Sequence, residues 1–335
     1  MSTIGDVARR AGVSTMTVSR VINNSGYISQ ETRERVEQAI AELGYVPNAL
    51  ARSLRFKQTK TIALIITDIT NPFFTTVARG VEDTASEHGF SVIFCNTDES
   101  QDEESDYLTL MVQKQVDGII LVPAHSSRAS AAFLQDHKVP FVVLDRRIAG
   151  MELDTVRCDS EIGGYQLTRH LIDLGHRRIA MLSGPLLVST SADRLAGYRR
   201  ALDEAGLEHA EFFGSLSNAD GYRMAREALT APQRPTAFFA ANNLVAIGAL
   251  RALLEQGIRV PQDLSVVSYD DLPESMIFDP FLTVVAQPAY DMGQQATRLL
   301  LNRLSGIDTT APREVLLPAP IIARKSSAAP PGTNP

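Results

Sequence analysis

The sequence predicts a small all-α head followed by an α/β body, and three observations lead to this fold class. In residues 1–60, apolar residues recur at helical spacing, whereas from residue 61 short continuous apolar runs alternate with helical stretches. The charge also differs between the two parts. The whole chain has 32 basic and 39 acidic residues, yet residues 1–60 have nine basic and five acidic ones. A basic head on an acidic body indicates that the head alone contacts a polyanion.

Three short helices are predicted in the head. The first has a single apolar stripe and ends at Gly12. The stripe residues are Ile4, Val7, Ala8 and Ala11. Ser14 is a natural N-cap for a second helix, and Ser29 can cap a third helix that ends at Gly44. The inner-face residues of the second helix are Val18, Val21 and Ile22.

A helix, a glycine-containing turn and a capped second helix are the arrangement of helix-turn-helix DNA readers. The second helix would then be the recognition helix, and its N-terminal residues Thr15 and Met16 would meet base edges. Arg20 has the reach and the forked guanidinium to bind a guanine. Short polar side chains suited to phosphates complete the candidate set: Thr17, Ser19, Asn23 and Ser29. The pattern alone also fits an unrelated small helical domain with an ordinary solvated face.

The body reads as two α/β units in series. Apolar runs bounded by polar turns indicate strands buried on both faces, and therefore parallel sheets. Examples are the runs 62–66, 92–94, 119–122, 141–144, 179–182, 238–241 and 264–267, and a further run, 282–286, precedes Gln287. After residue 287, one more helix and two final strands are expected to return to the first unit.

The changes in pattern predict the domain limits. The head covers 1–46, a hinge and linker cover 47–60, and the body covers 61–325. Within the body, the first subdomain takes 61–160 and 288–325, and the second takes 161–287. The remaining ten residues, 326–335, are predicted from their composition to be a disordered tail.

Several function classes are disfavoured by what the sequence lacks. It has no glycine-rich phosphate-binding motif and no GxSxG nucleophile elbow, and its six histidines form no HxxxH pair. Catalytic residues, a metal site and a cofactor are therefore not predicted. The two cysteines, Cys95 and Cys158, are expected to be buried in strands rather than to form a redox pair. Because no signal sequence and no membrane span of about 20 apolar residues is visible, we expect a cytoplasmic protein with no membrane partner.

Polar and aromatic residues follow the predicted body strands at the points where the strands end. Ligands of α/β sheets bind outside the carboxyl ends of the strands, so these residues are candidates for one site. Carboxylates accept from hydroxyls, a guanidinium donates, and aromatic rings cover the C–H faces of a sugar, which together suit a compact polyol. The candidates are Asn71, Phe73, Phe74, Asp145, Arg146, Asn242, Asp270 and Gln287. A metal pair at Asp270 and Asp271 is an alternative, but a carboxylate that accepts ligand hydroxyls is favoured.

The head resembles that of the LacI/GalR family of repressors on two specific stretches. Residues 3–14 read TIGDVARRAGVS and residues 17–23 read TVSRVIN, and the match continues over residues 43–54, LGYVPNALARSL. This resemblance implies a homodimer whose two heads read a near-palindromic double-stranded operator DNA.

The run from Asn48 to Arg55 consists of helix-forming residues but is too short to be a stable helix alone in water. By the same resemblance it is a hinge helix that folds on DNA, with Ala51 among the DNA contacts. Leu54 would be a wedge in the minor groove, where an apolar side chain unstacks a base step and kinks the duplex.

Over the body, the resemblance extends to about Lys325 and implies two Rossmann-like subdomains of the type I periplasmic-binding-protein fold. Three crossings would join them, with a small sugar bound between. The family's sugar-binding pattern falls on the strand-end candidates and adds Arg194 and Leu216. Two positions depart from the pattern. Asn243 stands where the family usually has Asp, and Leu216 stands where many relatives have an aromatic ring, so one face of a sugar lacks a flat cover.

Together these observations predict a sequence-specific DNA-binding transcriptional regulator that represses a carbohydrate operon. The predicted small-molecule effector is a neutral monosaccharide. Ribose is the first candidate, because the whole set of candidate effector residues resembles the ribose-type binding pattern. Two alternative function classes remain. A solute-binding protein of a transporter is disfavoured by the DNA-reading head, and an enzyme of sugar metabolism is disfavoured because no catalytic constellation is visible.

Overall fold

The computed structural model describes residues 2–46, 58–272 and 279–331 of the chain. The chain divides into two units, residues 1–59 and residues 60–335. The predicted hinge helix, with Ala51 and Leu54, lies outside the described residues.

The head is a three-helix domain built as the sequence predicted. Its helices are α1 (Ile4–Ala11), α2 (Thr15–Ile22) and α3 (Gln30–Leu43). Ser14 and Ser29 cap α2 and α3, each accepting a hydrogen bond from a backbone N–H in the first turn. Gly12 and Gly44 end α1 and α3 in the left-handed conformation, which a residue without Cβ adopts at little cost. Each helix contributes a fully buried valine to the core: Val7, Val18 and Val36.

Strands and helices mostly alternate along the body, and two short strands lie at its end. The strands are β1 (Thr61–Ile66), β2 (Ser91–Asn96), β3 (Gly118–Leu121), β4 (Phe141–Leu144), β5 (Thr155–Cys158), β6 (Ile179–Ser183), β7 (Ala210–Phe213), β8 (Ala237–Ala240), β9 (Ser265–Tyr269), β10 (Thr283–Val285), β11 (Glu314–Leu317) and β12 (Ile321–Ile322). The helices are α4 (Pro72–Glu87), α5 (Gln101–Gln113), α6 (Ala129–Asp136), α7 (Ser160–Asp173), α8 (Ser189–Glu204), α9 (Asn218–Leu229), α10 (Asn243–Glu255) and α11 (Ala289–Leu304).

The strands form two sheets with the same internal order. The first sheet runs β11-β5-β4-β3-β1-β2 and the second runs β12-β10-β9-β8-β6-β7. Within the described residues, β10 and β12 pair antiparallel, and the other strand pairs are parallel. Because β4 and β9 hold equivalent places, the residues that follow them, Asp145 and Asp270, lie at equivalent points of the two sheets.

Both faces of the first sheet are buried, which explains its continuous apolar strands. On one face of β1, Leu64 packs in a cluster with Val77 of α4 and Leu300 of α11. On the other face, Ile65 packs in a cluster with Leu108 of α5. The prediction of a parallel sheet whose strands are buried on both faces is therefore confirmed for the first sheet.

The final strand does not return to the first subdomain, and that prediction was wrong. β11 pairs with β5 of the first sheet, as expected, but β12 pairs with β10 of the second sheet through Val284 and Ile322. The chain therefore crosses between the sheets once more after Leu317. A short apolar run carries no information about which of two similar sheets it will extend, so the sequence could not decide this.

The predicted tail is also ordered over residues 326–331, contrary to expectation. Ser326 is fully buried, and its backbone accepts from the N–H of Val266 at 2.8 Å and donates to the carbonyl of Phe281 at 3.0 Å. The carbonyl of Ala328 lies 2.9 Å from Nε2 of the buried His176. Backbone hydrogen bonds of this kind do not depend on side-chain composition, which is why composition misled the prediction.

Cys95 and Cys158 are both buried in strands, as predicted. Burial raises the pKa of the Cys158 thiol to about 12, so this group stays protonated and unreactive at neutral pH. Among the described helices, none has both the length and the apolar character needed to cross a membrane.

Candidate functional site

A cavity of about 330 Å³ lies between the two subdomains of the body, at the carboxyl ends of their strands. Nine of the ten predicted effector residues line it: Asn71, Phe73, Phe74, Asp145, Arg146, Arg194, Leu216, Asn242 and Asp270. The tenth, Gln287, contacts both aspartates, since its Nε2 lies 2.7 Å from Asp270 and 3.5 Å from Asp145. The structure therefore brings together the residues that follow five separate strands.

Asp145 and Asp270 have matching backbone conformations. Both adopt the left-handed region, with φ of 65° and 64°, directly after β4 and β9. In each case the N–H donates to the neighbouring strand, from Asp145 to Val156 at 2.9 Å and from Asp270 to Val285 at 3.0 Å. This geometry turns both carboxyl groups out of their sheets and into the cavity that they line.

Both carboxyl groups are buried, and this changes their acidity. Loss of water disfavours the charged form and raises the pKa of Asp145, and it raises the pKa of Asp270 to about 6. Arg194, whose Nη1 is 3.8 Å from a carboxylate oxygen of Asp270, opposes both shifts. Hydroxyl donors from a ligand would stabilise the charged carboxylates, so the pair is suited to a polyol.

Arg146 is almost fully buried and most of its donors are already used. Its Nη1 and Nη2 donate to the carboxylate of Glu99 at 2.7 and 2.6 Å. Nη1 also donates to the carbonyls of Pro123 and Ala124 at 2.8 and 2.9 Å. The bidentate pair with Glu99 fixes the orientation of the guanidinium.

Arg194 is held by different contacts. Its guanidinium lies 3.7 Å above the ring of Tyr269, and Nη1 donates to the carbonyl of Ala241 at 2.8 Å. Nε of Arg194, Nε of Arg146 and Oε1 of Gln287 are buried and have no hydrogen-bond partner among the described residues. Because unpartnered buried polar atoms are costly, these three atoms are suited to hydrogen bonds with a polar ligand.

The asparagines act partly as structural caps. The side-chain oxygen of Asn71 accepts from the N–H of Phe73 at 3.0 Å and caps α4. Asn242 caps α10 by accepting from Val245 at 2.8 Å, and its Nδ2 donates to the carbonyl of Leu216 at 3.2 Å. Some of their capacity to bind a ligand is therefore already used.

The aromatic part of the lining comes from one subdomain only. The rings of Phe73 and Phe74 at the start of α4 pack edge to face, with centroids 5.0 Å apart. Leu216 lies in the lining on the side of the second subdomain, where it offers an aliphatic surface instead of a ring.

Direct contacts join the two subdomains beside the cavity. Nδ2 of Asn243 donates to Oδ1 of Asn71 at 3.1 Å. At a second point, the N–H of Ser189 donates to Oγ of Ser126 at 2.8 Å, and Arg147 forms an ion pair with Asp193. The two halves are thus in contact at more than one point around the site.

Several lining residues were missed by sequence reasoning. The most consequential is Glu99, and the others are Thr67, Asp68, Thr70, Asp98, Thr190, Ser215 and Ser217. Glu99 follows β2, whose apolar run was recognised, so the strand-end rule applied to that strand could have found it. Asp271, the second carboxylate of the alternative metal pair, forms an ion pair with Arg324 instead. No cluster able to hold a metal ion occurs in the parts of the chain that the structure describes.

In the head, α2 presents Thr15, Met16 and Arg20 to solvent, and Met16 is 61% exposed. The candidate phosphate contacts are partly engaged within the head. Oγ1 of Thr17 lies 3.0 Å from Oγ of Ser14, and Nδ2 of Asn23 donates a hydrogen bond to the carbonyl of Ser19 at 2.7 Å. Ser29 is exposed at the start of α3. The exposed face of α2 does not pack against the core of the head, as a recognition helix requires.

A three-helix head with a helix-turn-helix pair, together with two α/β subdomains around a polar cavity, is the architecture of a ligand-controlled DNA-binding regulator. Two family models match the chain. "Bacterial regulatory proteins, lacI family" matches residues 3–48, and "Periplasmic binding proteins and sugar binding domain of LacI family" matches residues 59–325. The chain therefore belongs to the LacI family, and it is a DNA-binding transcriptional repressor rather than an enzyme.

Individual relatives agree with this assignment. The chain is 39% identical over 332 residues to the ribose operon repressor of Escherichia coli (strain K12), covering 98% of this chain and 100% of the relative. It is 41% identical over 310 residues to the HTH-type transcriptional repressor PurR of Erwinia tasmaniensis, covering 91% of each chain. A crystal structure of the lac repressor dimer bound to operator and the anti-inducer ONPF superposes with a TM-score of 0.87 at 31% identity, covering 98% of this chain and 99% of that one. Repressors of this family bind operator DNA and small-molecule effectors and form dimers.

Proposed function

We propose that this repressor controls a carbohydrate operon as a homodimer, and that a neutral monosaccharide bound in the body cavity regulates its affinity for operator DNA. The observation that carries the proposal is a set of buried polar atoms without a partner among the described residues. They belong to Arg146 and Arg194, which line the cavity, and to Gln287, which donates to the lining residue Asp270. Acting on an operator, the protein would work in the cytoplasm. No cofactor enters this function.

The proposed sites are those predicted from the sequence. DNA contacts would come from Thr15, Met16, Thr17, Ser19, Arg20, Asn23, Ser29, Ala51 and Leu54. Effector contacts would come from Asn71, Phe73, Phe74, Asp145, Arg146, Arg194, Leu216, Asn242, Asp270 and Gln287.

The charges of the lining favour a neutral ligand. Five carboxyl groups and two guanidinium groups line the cavity. The carboxyl groups are Asp68, Asp98, Glu99, Asp145 and Asp270. Hydroxyl groups can donate to the carboxylates and accept from the guanidinium nitrogens, whereas an anion would meet an excess of negative charge. Ribose is the first candidate, because one of the similar relatives is a ribose operon repressor.

A purine base is the second candidate. It is favoured by the relative named PurR, which is as similar to this chain as the ribose operon repressor. Phe73 and Phe74 provide aromatic surface at one side of the cavity, and Leu216 provides an aliphatic surface at another. A planar base could lie against such surfaces, but its fewer donors would leave more of the carboxylate oxygens unpaired.

Two measurements on the full chain test the proposal. Selection from random DNA duplexes should return a near-palindromic site, which then serves as the operator in fluorescence anisotropy titrations. Ribose should raise the melting temperature and change the operator affinity, since a ligand at 100 times its Kd adds about 2.7 kcal/mol of stability. Glucose, adenine and guanine are run in parallel. A response to a purine base with none to any neutral sugar would replace the first candidate by the second.

A further inference from the structure

We propose that Glu99 determines which class of effector the cavity accepts, by occupying the guanidinium of Arg146 and so excluding phosphorylated and other anionic ligands. The inference rests on the proposed function in one respect, namely that this cavity is the effector site. It concerns a residue that is not among the strand-end candidates predicted from the sequence.

The geometry leaves Arg146 little capacity to bind an anion. A phosphate is bound by an arginine most effectively through two parallel N–H donors of the guanidinium fork. In Arg146, Nη1 and Nη2 donate to the two carboxylate oxygens of Glu99 at 2.7 and 2.6 Å. The remaining Nε lies 4.0 Å from a carboxylate oxygen of Asp145. That single donor suits a hydroxyl acceptor, whereas a dianion there would lie against a carboxylate.

Glu99 is placed so that its removal would open the site. Its side chain is 37% exposed and lines the cavity, whereas Arg146 behind it is 2% exposed. Taking away the carboxylate would therefore free Nη2 to donate into the cavity, since its other contact is a long hydrogen bond of 3.4 Å to Oγ1 of Thr67. The guanidinium itself would stay in position, because Nη1 still donates to the carbonyls of Pro123 and Ala124.

The backbone holds Glu99 in this position. Asp98 and Glu99 both adopt the left-handed conformation, with φ of 47° and 58°. The N–H of Glu99 donates to the carbonyl of Thr67 at 3.1 Å, which ties the loop after β2 to the end of β1. Two successive non-glycine residues in this region are unfavourable by themselves, so the surrounding contacts maintain them.

The test compares neutral and phosphorylated ligands on the full chain by calorimetry, with ribose, ribose 5-phosphate and inorganic phosphate as probes. For the unmodified protein, ribose 5-phosphate should bind at least about tenfold more weakly than ribose. Glu99→Ala should narrow this ratio by about tenfold and give measurable binding of inorganic phosphate. Glu99→Gln, which removes the charge but keeps an acceptor, should give an affinity ratio between those of the unmodified protein and Glu99→Ala. Glu103→Ala removes an exposed carboxylate outside the cavity and should leave the ratio unchanged.

Melting curves verify that each variant is folded. If folded Glu99→Ala and Glu99→Gln keep the original ratio of ribose to ribose 5-phosphate affinity, Glu99 does not determine effector class and the inference is overturned. It is also overturned if the unmodified protein binds ribose 5-phosphate as tightly as ribose, a result that needs no variant to fold. If the unmodified protein binds no sugar but Glu99→Ala gains phosphate binding, the proposed sugar effector is wrong while the role of Glu99 stands.

Discussion

Asn71 and Asn243 meet beside the cavity, where Nδ2 of Asn243 donates to Oδ1 of Asn71 at 3.1 Å. The two residues are 172 positions apart and belong to different subdomains, and both are buried. Asn71 caps α4, and Asn243 is the first residue of α10. An asparagine at position 243 can donate this bond, whereas an ionised aspartate would place a carboxylate against the oxygen of Asn71.

Asn243→Ala should weaken effector binding, because the contact joins the two halves that enclose the ligand. Loss of one buried hydrogen bond costs about 1 kcal/mol, or about fivefold in affinity, measured by calorimetry. Asn218→Ala is the matched control, since Asn218 is the first residue of α9 but is exposed. Equal effector affinity in Asn243→Ala and the unmodified protein would show that this contact does not support the ligand-bound form.

Effector affinity should decrease as the pH falls through about 6. Burial raises the pKa of Asp270 from its ordinary value of 3.8 to about 6, and hydroxyl donors favour its charged form. Binding should therefore release protons near this pH, which calorimetry in buffers of different ionisation enthalpy detects. Asp270→Asn should reduce the proton release. Affinity that is constant from about pH 5 to about pH 8 would argue against a direct role of the Asp270 carboxylate.

The same shift affects stability in the absence of ligand. Because the folded pKa of Asp270 is above the unfolded one, the stability it contributes is full below pH 3.8 and is lost as the pH rises through about 6. Asp270→Asn should therefore stabilise the ligand-free protein at pH 7 relative to the unmodified chain, as measured by denaturant titration. The gain should disappear in acid, and a gain that is equal at both pH values would point to a cause other than ionisation.

Arg20→Ala should relax base preference and cost about 1–3 kcal/mol in operator affinity, because we propose that its forked guanidinium reads a base pair. Anisotropy titrations with the selected operator and with single-base variants measure both effects. Arg9→Ala is the control, since it removes an equal charge from α1, where the side chain is 81% exposed. If Arg20→Ala weakens binding to every sequence equally, Arg20 contacts phosphate and not a base.

Operator and effector should influence each other by the same factor. A ligand can shift DNA affinity only through its different affinity for the two states, typically by 1–3 kcal/mol. Calorimetry measures the factor by which operator changes the affinity for ribose, and anisotropy measures the factor by which ribose changes the affinity for operator. The two factors should be equal. Equal ribose affinities in both titrations would mean that the two sites are uncoupled.

Ser326→Ala should destabilise the body, although the sequence suggested that this segment is disordered. The Ser326 hydroxyl donates to the carbonyl of Val266 at 2.6 Å and accepts from the N–H of Thr283 at 2.7 Å. Removing it leaves both buried groups unpaired, at a cost of about 1–3 kcal/mol in the free energy of unfolding. Ser327→Ala, at a less buried position, should cost less. Equal melting temperatures for Ser326→Ala and the unmodified chain would contradict this account.

Much of the cavity was predictable, because strand ends can be read from local pattern. Asp145 and Asp270 directly follow apolar runs, and in parallel sheets such positions collect at one edge. The family resemblance supplied Arg194 and Leu216, which lie inside a helix and a loop and carry no strand-end signal. Glu99 was not predicted, although it follows a recognised apolar run. Asp and Glu are common at turns, and its partner Arg146 is far away in the sequence.

By itself, the sequence determined the helices of the head and most strands of the body, since caps, glycines and apolar periodicity act over a few residues, but no predicted run marked β5 or β7. Ser14 and Gly12 are examples that the structure confirms. Only the tertiary structure decided that Glu99 binds Arg146, 47 residues away, and that Ser326 joins the second subdomain. Those outcomes depend on which groups the packed sheets bring within hydrogen-bond distance, and a buried polar group takes whichever partner lies there, regardless of separation along the chain.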